Sequence, residues 1–213
     1  MDNSTIAGYI DHTLLKAFAT WEQIDDLCKE AIEYKTASVC IPPNYIKRVK
    51  EKYNDLAVAT VIGFPLGYEA TPAKLQETKT ALEDGADEID MVINISDVKN
   101  GDYAAVEAEI AILKKACGDK ILKVIIETCY LTQEEKIAMC HAVTAAHADY
   151  IKTSTGFGTA GATIEDVKLF KEHIGPDVKI KAAGGIRTKE DMVAYIEAGV
   201  SRIGCSSTKV LFE

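Results

Sequence analysis

The chain has 213 residues, of which 47% are hydrophobic, so it can bury one sizeable core but is short for two domains. Its formal net charge of −9 disfavours nucleic acid or an anionic membrane as the main partner, because most of its surface repels phosphate groups. The amino-terminal stretch lacks the features of a secretion signal, and no later stretch approaches the ~18 apolar residues of a membrane-spanning helix. We expect one compact, soluble domain over residues 1–213, located in the cytoplasm.

Short β-branched runs alternate with longer amphipathic segments along the chain, which is typical of βα units around a parallel sheet. The eight runs predicted as strands are, in chain order, YIDHTL (9–14), ASVCI (37–41), AVATVIGF (57–64), EIDMVIN (88–94), LKVIIET (122–128), YIKTST (150–155), KIKAAGG (179–185) and RIGCSS (202–207).

Four of the intervening segments have apolar residues at three-to-four spacing and are predicted as helices. They are WEQIDDLCKEAIEY (21–34), AKLQETKTALEDG (73–85), AVEAEIAILKKAC (105–117) and EEKIAMCHAVTAAH (134–147). A threonine followed three residues later by Gln, Glu or Asp marks a helix start, because the later side chain can reach back to the cap. Such pairs are Thr20 with Gln23, Thr132 with Glu135, Thr163 with Asp166 and Thr188 with Asp191.

Eight strands alternating with helices in about 200 residues predict an α/β fold, a compact (β/α)8 or TIM barrel near the lower size limit of that architecture. An open doubly wound sheet is the alternative. It is disfavoured because no Gly-x-Gly-x-x-Gly follows the first strand and no Walker A pattern is present. The chain stops soon after the eighth strand, so we expect a very short closing helix.

Side chains alternate along a barrel strand between the helix layer and the barrel interior. In strand four, Ile89, Met91 and Ile93 are apolar and must face the helices, so Asp90 faces inward. The same rule directs inward Glu88, Val92, Asn94, Cys40, Lys123, Glu127, Lys152 and Lys181.

Lysines in the middle of interior strands are costly unless carboxylates pair with them or their pKa values fall. Lys152 and Lys181 lie on neighbouring strands, close to the glycine-rich strand ends where barrel active sites are found. Two adjacent cations lower each other's proton affinity, so we expect a neutral amine able to attack a carbonyl; an interior salt-bridge network is the alternative. For Lys123 and Glu127 we expect such a network, serving as scaffold near the barrel bottom.

The loops after the last three strands are rich in glycine and read STGFGTAGAT, AAGGIRT and GCSSTK. Glycine lets the backbone approach an anion closely, and amides at a helix N-terminus supply donors. Barrels frequently bind phosphate after strands seven and eight. We therefore predict a phosphate site at Gly184, Gly185, Gly204, Ser206 and Ser207, the alternative being that these glycines only form tight turns.

Six segments spread over nearly the whole chain form one pattern: YIKTSTGFG, KIKAAGGIRT, GADEIDMVIN, VIGFPLG, IDHTLL and RIGCSS. Together they resemble the 2-deoxyribose-5-phosphate aldolase family, class I aldolases on a (β/α)8 barrel. The resemblance runs from about Asp11 to Ser207. It implies reversible cleavage of 2-deoxy-D-ribose 5-phosphate to D-glyceraldehyde 3-phosphate and acetaldehyde through a lysine Schiff base, in deoxyribonucleoside catabolism, without a metal or other cofactor.

The resemblance also implies roles for individual residues. Lys152 would be the Schiff-base nucleophile, Lys181 would perturb it and take part in proton transfer, and Asp90 would be the proton-relay partner. The implied substrate-binding residues are Asp11, Cys40, Thr155, Gly156, Gly184, Gly185, Gly204, Ser206 and Ser207. A small phosphorylated sugar and acetaldehyde are the implied partners, and a homodimer is left open as the assembly.

Two positions depart from the family pattern. Cys205 stands where many members have threonine or alanine, which is expected to change little. Some members extend to a C-terminal tyrosine that assists proton transfer, whereas this chain ends at Glu213. That role is expected to be absent or filled by water.

The residues alone leave other functions open. Another Schiff-base aldolase of a phosphorylated sugar would use the same loops, as would a non-catalytic phosphosugar-binding barrel, which needs no lowered lysine pKa. A sugar-phosphate isomerase needs no pair of lysines. Metal-dependent aldol chemistry is disfavoured because the four histidines form no cluster at strand ends, and His141 and His147 fall on different faces of one helix. The six cysteines include no Cys-x-x-Cys pair, so reduced thiols are expected rather than a zinc site.

Overall fold

The structure, a computed structural model, describes residues 1–212, so the expectation attached to Glu213 lies outside the described residues. Eight parallel strands close into a barrel in which each strand pairs with the next and the last pairs with the first. The strands are β1 (Ile10–Thr13), β2 (Ser38–Ile41), β3 (Val58–Ile62), β4 (Glu88–Val92), β5 (Ile121–Ile125), β6 (Tyr150–Lys152), β7 (Lys179–Ala183) and β8 (Arg202–Cys205). The predicted TIM barrel is confirmed, and closure of the sheet excludes the open alternative.

Helices cover the outside of this barrel. They are α1 (Asn3–Ala7), α2 (Trp21–Tyr34), α3 (Ile46–Lys52), α4 (Thr71–Glu83), α5 (Ile95–Lys99), α6 (Tyr103–Cys117), α7 (Gln133–Ala145), α8 (Ile164–His173) and α9 (Lys189–Ala198). The four helices predicted from apolar spacing are confirmed, whereas α1, α3 and α5 are too short for a periodic pattern. In the described residues after β8, up to 212, the regular element is the 3-10 turn Thr208–Leu211, the short closing element that we expected. Within residues 1–212, no helix combines the length and apolar character needed to cross a bilayer.

Threonine side chains cap the predicted helix starts. Full reciprocal capping boxes are present at α2, α7 and α9. At α8, Thr163 accepts a hydrogen bond from the amide of Asp166, but the Asp166 carboxylate pairs with Lys136 Nζ at 2.6 Å. The reciprocal bond predicted there is therefore wrong, because a cation on the neighbouring helix α7 takes the carboxylate.

The apolar core lies between the barrel and its helices. Ile89 and Met91 are completely buried there, as the alternation along β4 predicts. A smaller apolar cluster of Cys40, Ala59 and Val61 is separate from this core, and strand parity places it inside the barrel. Charged side chains occupy many of the other interior positions, and this is where the site is formed.

Candidate active site

Seven charged side chains lie inside the barrel and contact one another. They are Asp11, Glu88, Asp90, Lys123, Lys152, Lys181 and Arg202. Alternation along six of the eight strands brings them together, because every one of them has inward parity. With all groups ionised, four cations face three carboxylates, so one cation has no carboxylate of its own. We refer to these seven side chains as the interior cluster.

Asp90 is the shared acceptor of the three lysines. Its Oδ2 accepts hydrogen bonds from Lys152 Nζ and Lys181 Nζ, both at 2.7 Å, and its Oδ1 accepts from Lys123 Nζ at 2.8 Å. Burial raises the pKa of Asp90, but the charges of Lys123, Lys152 and Lys181 outweigh burial and hold the pKa well below its ordinary value. Asp90 is therefore an ionised carboxylate within hydrogen-bond distance of Lys123, Lys152 and Lys181.

Lys181 is completely buried and has a second carboxylate. Its Nζ pairs with Asp11 as well as Asp90, and Asp11 also binds Arg202 Nη1 at 2.5 Å and Ser38 Oγ at 2.8 Å. Burial lowers the pKa of Lys181, but the two carboxylates outweigh it and leave that pKa raised. Lys181 therefore stays an ammonium ion.

Lys123 forms the lower part of the interior cluster. Its Nζ lies 2.5 Å from Glu88 Oε2, and Arg202 Nη2 binds the other oxygen of that carboxylate at 3.1 Å. Burial lowers the pKa of Lys123, and Asp90, Asp11 and Glu88 together raise it above its usual value. The scaffold role expected for Lys123 agrees with this geometry.

Glu127 does not take part in that scaffold, so the expectation for it is wrong. Strand β5 ends at Ile125, and Glu127 has a left-handed backbone conformation with φ 51°, which stops the alternation of side chains. Its carboxylate instead accepts a hydrogen bond from the amide of Thr155 at 3.1 Å, in the loop after β6.

Of the cations in the interior cluster, Lys152 is the one with the weakest pairing to carboxylates. It is the last residue of β6 and is 3% exposed. Burial lowers its pKa most; the Asp90 carboxylate raises it, the Lys181 charge lowers it, and the balance leaves the pKa below its ordinary value. The sequence argument assigned this effect to two adjacent cations, whereas the structure assigns the larger share to burial. With Lys152 neutral, three cations face three carboxylates.

A cavity of about 270 Å³ opens above Lys152 at the carboxyl ends of the strands. Of the predicted residues, its lining includes Lys152, Thr155, Gly156, Gly184, Gly185, Gly204 and Ser206. Gly184 has φ 85°, and a Cβ on Gly161 would lie 2.1 Å from the Gly184 carbonyl oxygen, so the loops after β6 and β7 meet as closely as backbones can. The predicted glycine loops thus do converge on one cavity, beside the predicted nucleophile.

Three predicted substrate-binding residues are outside the lining of this cavity. Asp11 is below it, bound to Lys181. The amide of Ser207 donates to Cys205 Sγ at 3.2 Å, so the family departure at Cys205 fixes the turn after β8. Cys40 belongs to the interior apolar cluster, and burial raises the pKa of its thiol.

Sequence reasoning missed two cations at the cavity. Lys16 and Arg187 contribute to its lining and are exposed to solvent. Among residues 1–212, no carboxylate forms an ion pair with either of them, and the Lys16 ammonium lies 5.7 Å from the ring centroid of Phe18. Both residues lie in loops, where strand alternation does not predict which way a side chain points. The sequence feature that could have identified them is a basic residue inside each of the motifs IDHTLLK and AAGGIRT.

A second cavity of about 390 Å³ adjoins the first, with Leu15, Lys16 and Phe157 in both linings. The rings of Phe157 and Phe64 meet edge to face with centroids 5.3 Å apart. The sequence did not predict that these apolar side chains line a cavity, because the contacts of an aromatic residue in a loop follow no periodic pattern.

A protein-family comparison matches residues 5–206 to the DeoC/LacD family aldolase. Over 207 residues the chain is 64% identical to the deoxyribose-phosphate aldolase of Clostridium botulinum, covering 97% of this chain and 94% of that protein. It is 59% identical over 199 residues to the deoxyribose-phosphate aldolase of Clostridioides difficile, covering 93% and 91%. Among solved structures, the deoxyribose phosphate aldolase of Aeropyrum pernix, described as tetrameric, matches with a TM-score of 0.91 and 34% identity, covering 99% of this chain and 91% of that one.

Proposed function

Because this chain belongs to the DeoC/LacD family of aldolases, we propose that it reversibly cleaves 2-deoxy-D-ribose 5-phosphate to D-glyceraldehyde 3-phosphate and acetaldehyde. The observation that carries the proposal is the Lys152 amine, which lies at the cavity and whose pKa burial lowers. A neutral amine is a nucleophile towards carbonyl carbon, whereas an ammonium ion is not. The similarity to aldolases named for deoxyribose phosphate supports the choice of substrate.

The reaction begins with a covalent bond between enzyme and sugar. The lone pair of Lys152 Nζ attacks C1 of the open-chain sugar, and loss of water leaves a protonated imine. The positive nitrogen withdraws electrons, so removal of the proton on the C3 hydroxyl breaks the C2–C3 bond. D-Glyceraldehyde 3-phosphate leaves, and the electron pair of the broken bond remains as an enamine on Lys152. Protonation at C2 and addition of water release acetaldehyde and the free amine.

Asp90 and Lys181 supply the proton transfers in this scheme. The Asp90 Oδ2 lies 2.7 Å from both lysine nitrogens, so a proton leaving Lys152 has an acceptor and Lys181 a route to return one. Asp11 acts below them, because its ion pair holds Lys181 in place and charged.

The glycine-rich loops bind the phosphate in this proposal. Backbone amides at Gly156, Gly184, Gly185, Gly204 and Ser206 provide the donors, whereas the Ser207 amide, which the sequence pattern also suggested, already donates to Cys205 Sγ. Lys16 and Arg187 add the positive charge that a phosphate dianion requires. Thr155 borders the sugar beside Lys152, and Cys40 lies in the apolar wall of the barrel interior.

Borohydride trapping tests the covalent step. Incubation with acetaldehyde or 2-deoxyribose 5-phosphate, followed by borohydride, should leave a stable secondary amine on the peptide YIKTSTGFG, detected by mass spectrometry. Lys152→Arg keeps a positive charge but cannot form the imine, because guanidinium stays protonated. This variant should lose both trapping and turnover and still bind inorganic phosphate.

Trapping that persists in Lys152→Arg, or an adduct on Lys181 or Lys123 in the parent protein, contradicts the assignment of Lys152. The protein could also be trapped on Lys152 and cleave another sugar phosphate but not 2-deoxyribose 5-phosphate. That result would contradict the proposed substrate and support the Schiff-base mechanism. A protein that shows neither trapping nor cleavage is a phosphosugar-binding barrel. Unphosphorylated 2-deoxyribose should be cleaved far less efficiently.

We also propose that the enzyme is located in the cytoplasm, and its assembly, for which the sequence left a homodimer open, is decided by measurement. The Aeropyrum pernix relative is described as tetrameric, so light scattering in solution is the measurement that decides between monomer, dimer and tetramer for this chain. Fractionation of the cells that express it tests the location.

A further inference from the structure

Glu127 occupies an unusual backbone position beside the cavity. It has φ 51° and ψ 68°, a left-handed conformation that costs a residue other than glycine about 1–3 kcal/mol. The amides on either side of it donate to β6 and to the loop that follows: Ile126 N to Lys152 O at 3.1 Å and Thr128 N to Thr153 O at 2.9 Å. These bonds fix the backbone of Glu127 directly against the strand that carries Lys152.

The carboxylate of Glu127 is the acceptor around which the next loop turns. It is 2% exposed and accepts from both the amide and the hydroxyl of Thr155. Phe157 N donates to that same hydroxyl oxygen at 3.0 Å, so the hydroxyl proton is directed at the carboxylate. A Cβ on Gly158 would lie 3.1 Å from the Glu127 carboxyl carbon. The turn Thr155–Gly158 therefore wraps closely around one buried carboxylate.

This turn, unlike Glu127 itself, forms part of the wall of the cavity. Thr155, Gly156 and Phe157 are in the lining together with Lys152. We propose that Glu127 is a positioning residue that holds the Thr155–Gly158 turn in the conformation that receives the sugar phosphate. This inference rests on the proposed function, because the turn is given its role by that substrate.

Replacing Glu127 with glycine tests the carboxylate separately from the backbone conformation, because glycine removes the carboxylate and accepts the left-handed conformation. Glu127→Gly relieves the strain at φ 51° but leaves the buried Thr155 amide without its acceptor; these two effects are of similar size and opposite sign, so the free energy of unfolding should be nearly unchanged. The substitution removes the acceptor, so KM for 2-deoxyribose 5-phosphate should rise about 10-fold while kcat changes less than about 3-fold, the scale of losing one charged hydrogen-bond acceptor. A role confined to folding predicts the reverse, a changed stability and an unchanged KM.

Two further variants sharpen the test. Glu127→Gln keeps an oxygen for the Thr155 amide and can donate its NH2 to the Thr155 hydroxyl, so KM should return to within about 3-fold of the parent value. Thr155→Val removes the hydroxyl, and adding Glu127→Gly to it should raise KM by less than Glu127→Gly does alone, because both changes break one network.

The readouts distinguish this inference from the proposed function. Acetaldehyde trapping on Lys152 should persist in Glu127→Gly. If the parent protein traps and cleaves but Glu127→Gly leaves KM unchanged, the positioning role is wrong and the aldolase stands. If Glu127→Gln is as impaired as Glu127→Gly, the negative charge matters rather than the hydrogen bonds, which also overturns the inference. Failure of trapping in the parent protein overturns the proposed function itself.

Discussion

Two regions of the molecule bury lysine, and they treat it differently. In the helix layer, Lys74 of α4 is completely buried and binds Glu109 Oε2 at 2.8 Å and the Val92 carbonyl at 2.9 Å, while Thr71 Oγ1 donates to the other Glu109 oxygen at 3.0 Å. One cation there meets one carboxylate. In the interior cluster, Asp90 is shared by three lysines, and Lys152 receives only part of it.

Burial alone is therefore not enough to make a lysine reactive here. Lys74 and Lys152 are 0% and 3% exposed, so both are removed from water. The difference is how many cations share each carboxylate. The matched pair gives Lys74 its own counter-ion and joins helices α4 and α6, whereas the pKa of Lys152, the cation left without a carboxylate of its own, is lowered.

The largest expected effect is on kcat, when Lys152, the cation without a carboxylate of its own, is replaced. Lys152→Met should lower kcat on the order of 10⁴-fold or more, the scale of losing a covalent nucleophile. Its free energy of unfolding should be no more than about 1 kcal/mol below that of the parent, because the remaining charges of the interior cluster balance. Steady-state kinetics and urea unfolding measure the two quantities. A large loss of stability would show that Lys152 is a structural cation.

Replacing Lys74, the cation with its own carboxylate, should have the opposite effect: a loss of stability with an unchanged kcat. Lys74→Met leaves the Glu109 carboxylate buried without a counter-ion, so the free energy of unfolding should fall by about 3–5 kcal/mol. The folded fraction should keep the parent kcat, because Lys74 contacts no residue of the cavity. Lys74→Met combined with Glu109→Leu should recover most of the lost stability. A double variant as unstable as Lys74→Met would mean that packing, not charge, accounts for the loss.

Lys181 tests the influence of one cluster cation on another. Lys181→Met removes a positive charge that lowers the pKa of Lys152 and leaves Asp90 Oδ2 to Lys152 alone, so that pKa should rise. Because the neutral amine is the active form, the acidic limb of the kcat/KM profile should move to higher pH. Loss of proton transfer should lower kcat about 10²-fold as well. An unmoved limb with a lower plateau would restrict Lys181 to proton transfer.

The smallest expected effect is on the pH dependence of the free energy of unfolding, which reports the pKa of Lys152 most directly. Between the lowered pKa of Lys152 and the ordinary value of 10.5, the unfolded chain binds a proton at this position that the folded chain does not. The contribution of Lys152 to stability therefore rises with pH in that window, by at most about 1.4 kcal/mol per pH unit. Urea unfolding should show the parent gaining stability relative to Lys152→Met as pH increases. A constant difference would mean that Lys152 is fully protonated in the folded protein.

Strand alternation explains why much of the site could be predicted from sequence. The period of two directs Asp90, Lys152 and Lys181 inward wherever the opposite parity is apolar, and the closed barrel then leaves them one place to meet. Arg202 obeys the same rule beside the outward-facing Ile203, so a stricter application would have found it.

Other features carry no such periodic signal. Glu127 turns away because its backbone is left-handed, a conformation that a glutamate gives no hint of in sequence. Lys16 and Arg187 come to the cavity through loops whose paths depend on packing of the whole barrel. The competition of Lys136 for the Asp166 carboxylate likewise depends on two helices meeting in space.

Lys16 and Arg187, which form no ion pair within residues 1–212, affect how fast a substrate reaches the cavity. A chain with a net charge of −9 repels a sugar phosphate, and these two residues place positive charge where the substrate binds. Such a local field guides an approaching dianion during diffusion, and dissolved salt weakens it over a Debye length of about 8 Å at physiological ionic strength. The encounter rate with the phosphorylated sugar is consequently sensitive to ionic strength, whereas the encounter with uncharged acetaldehyde is not.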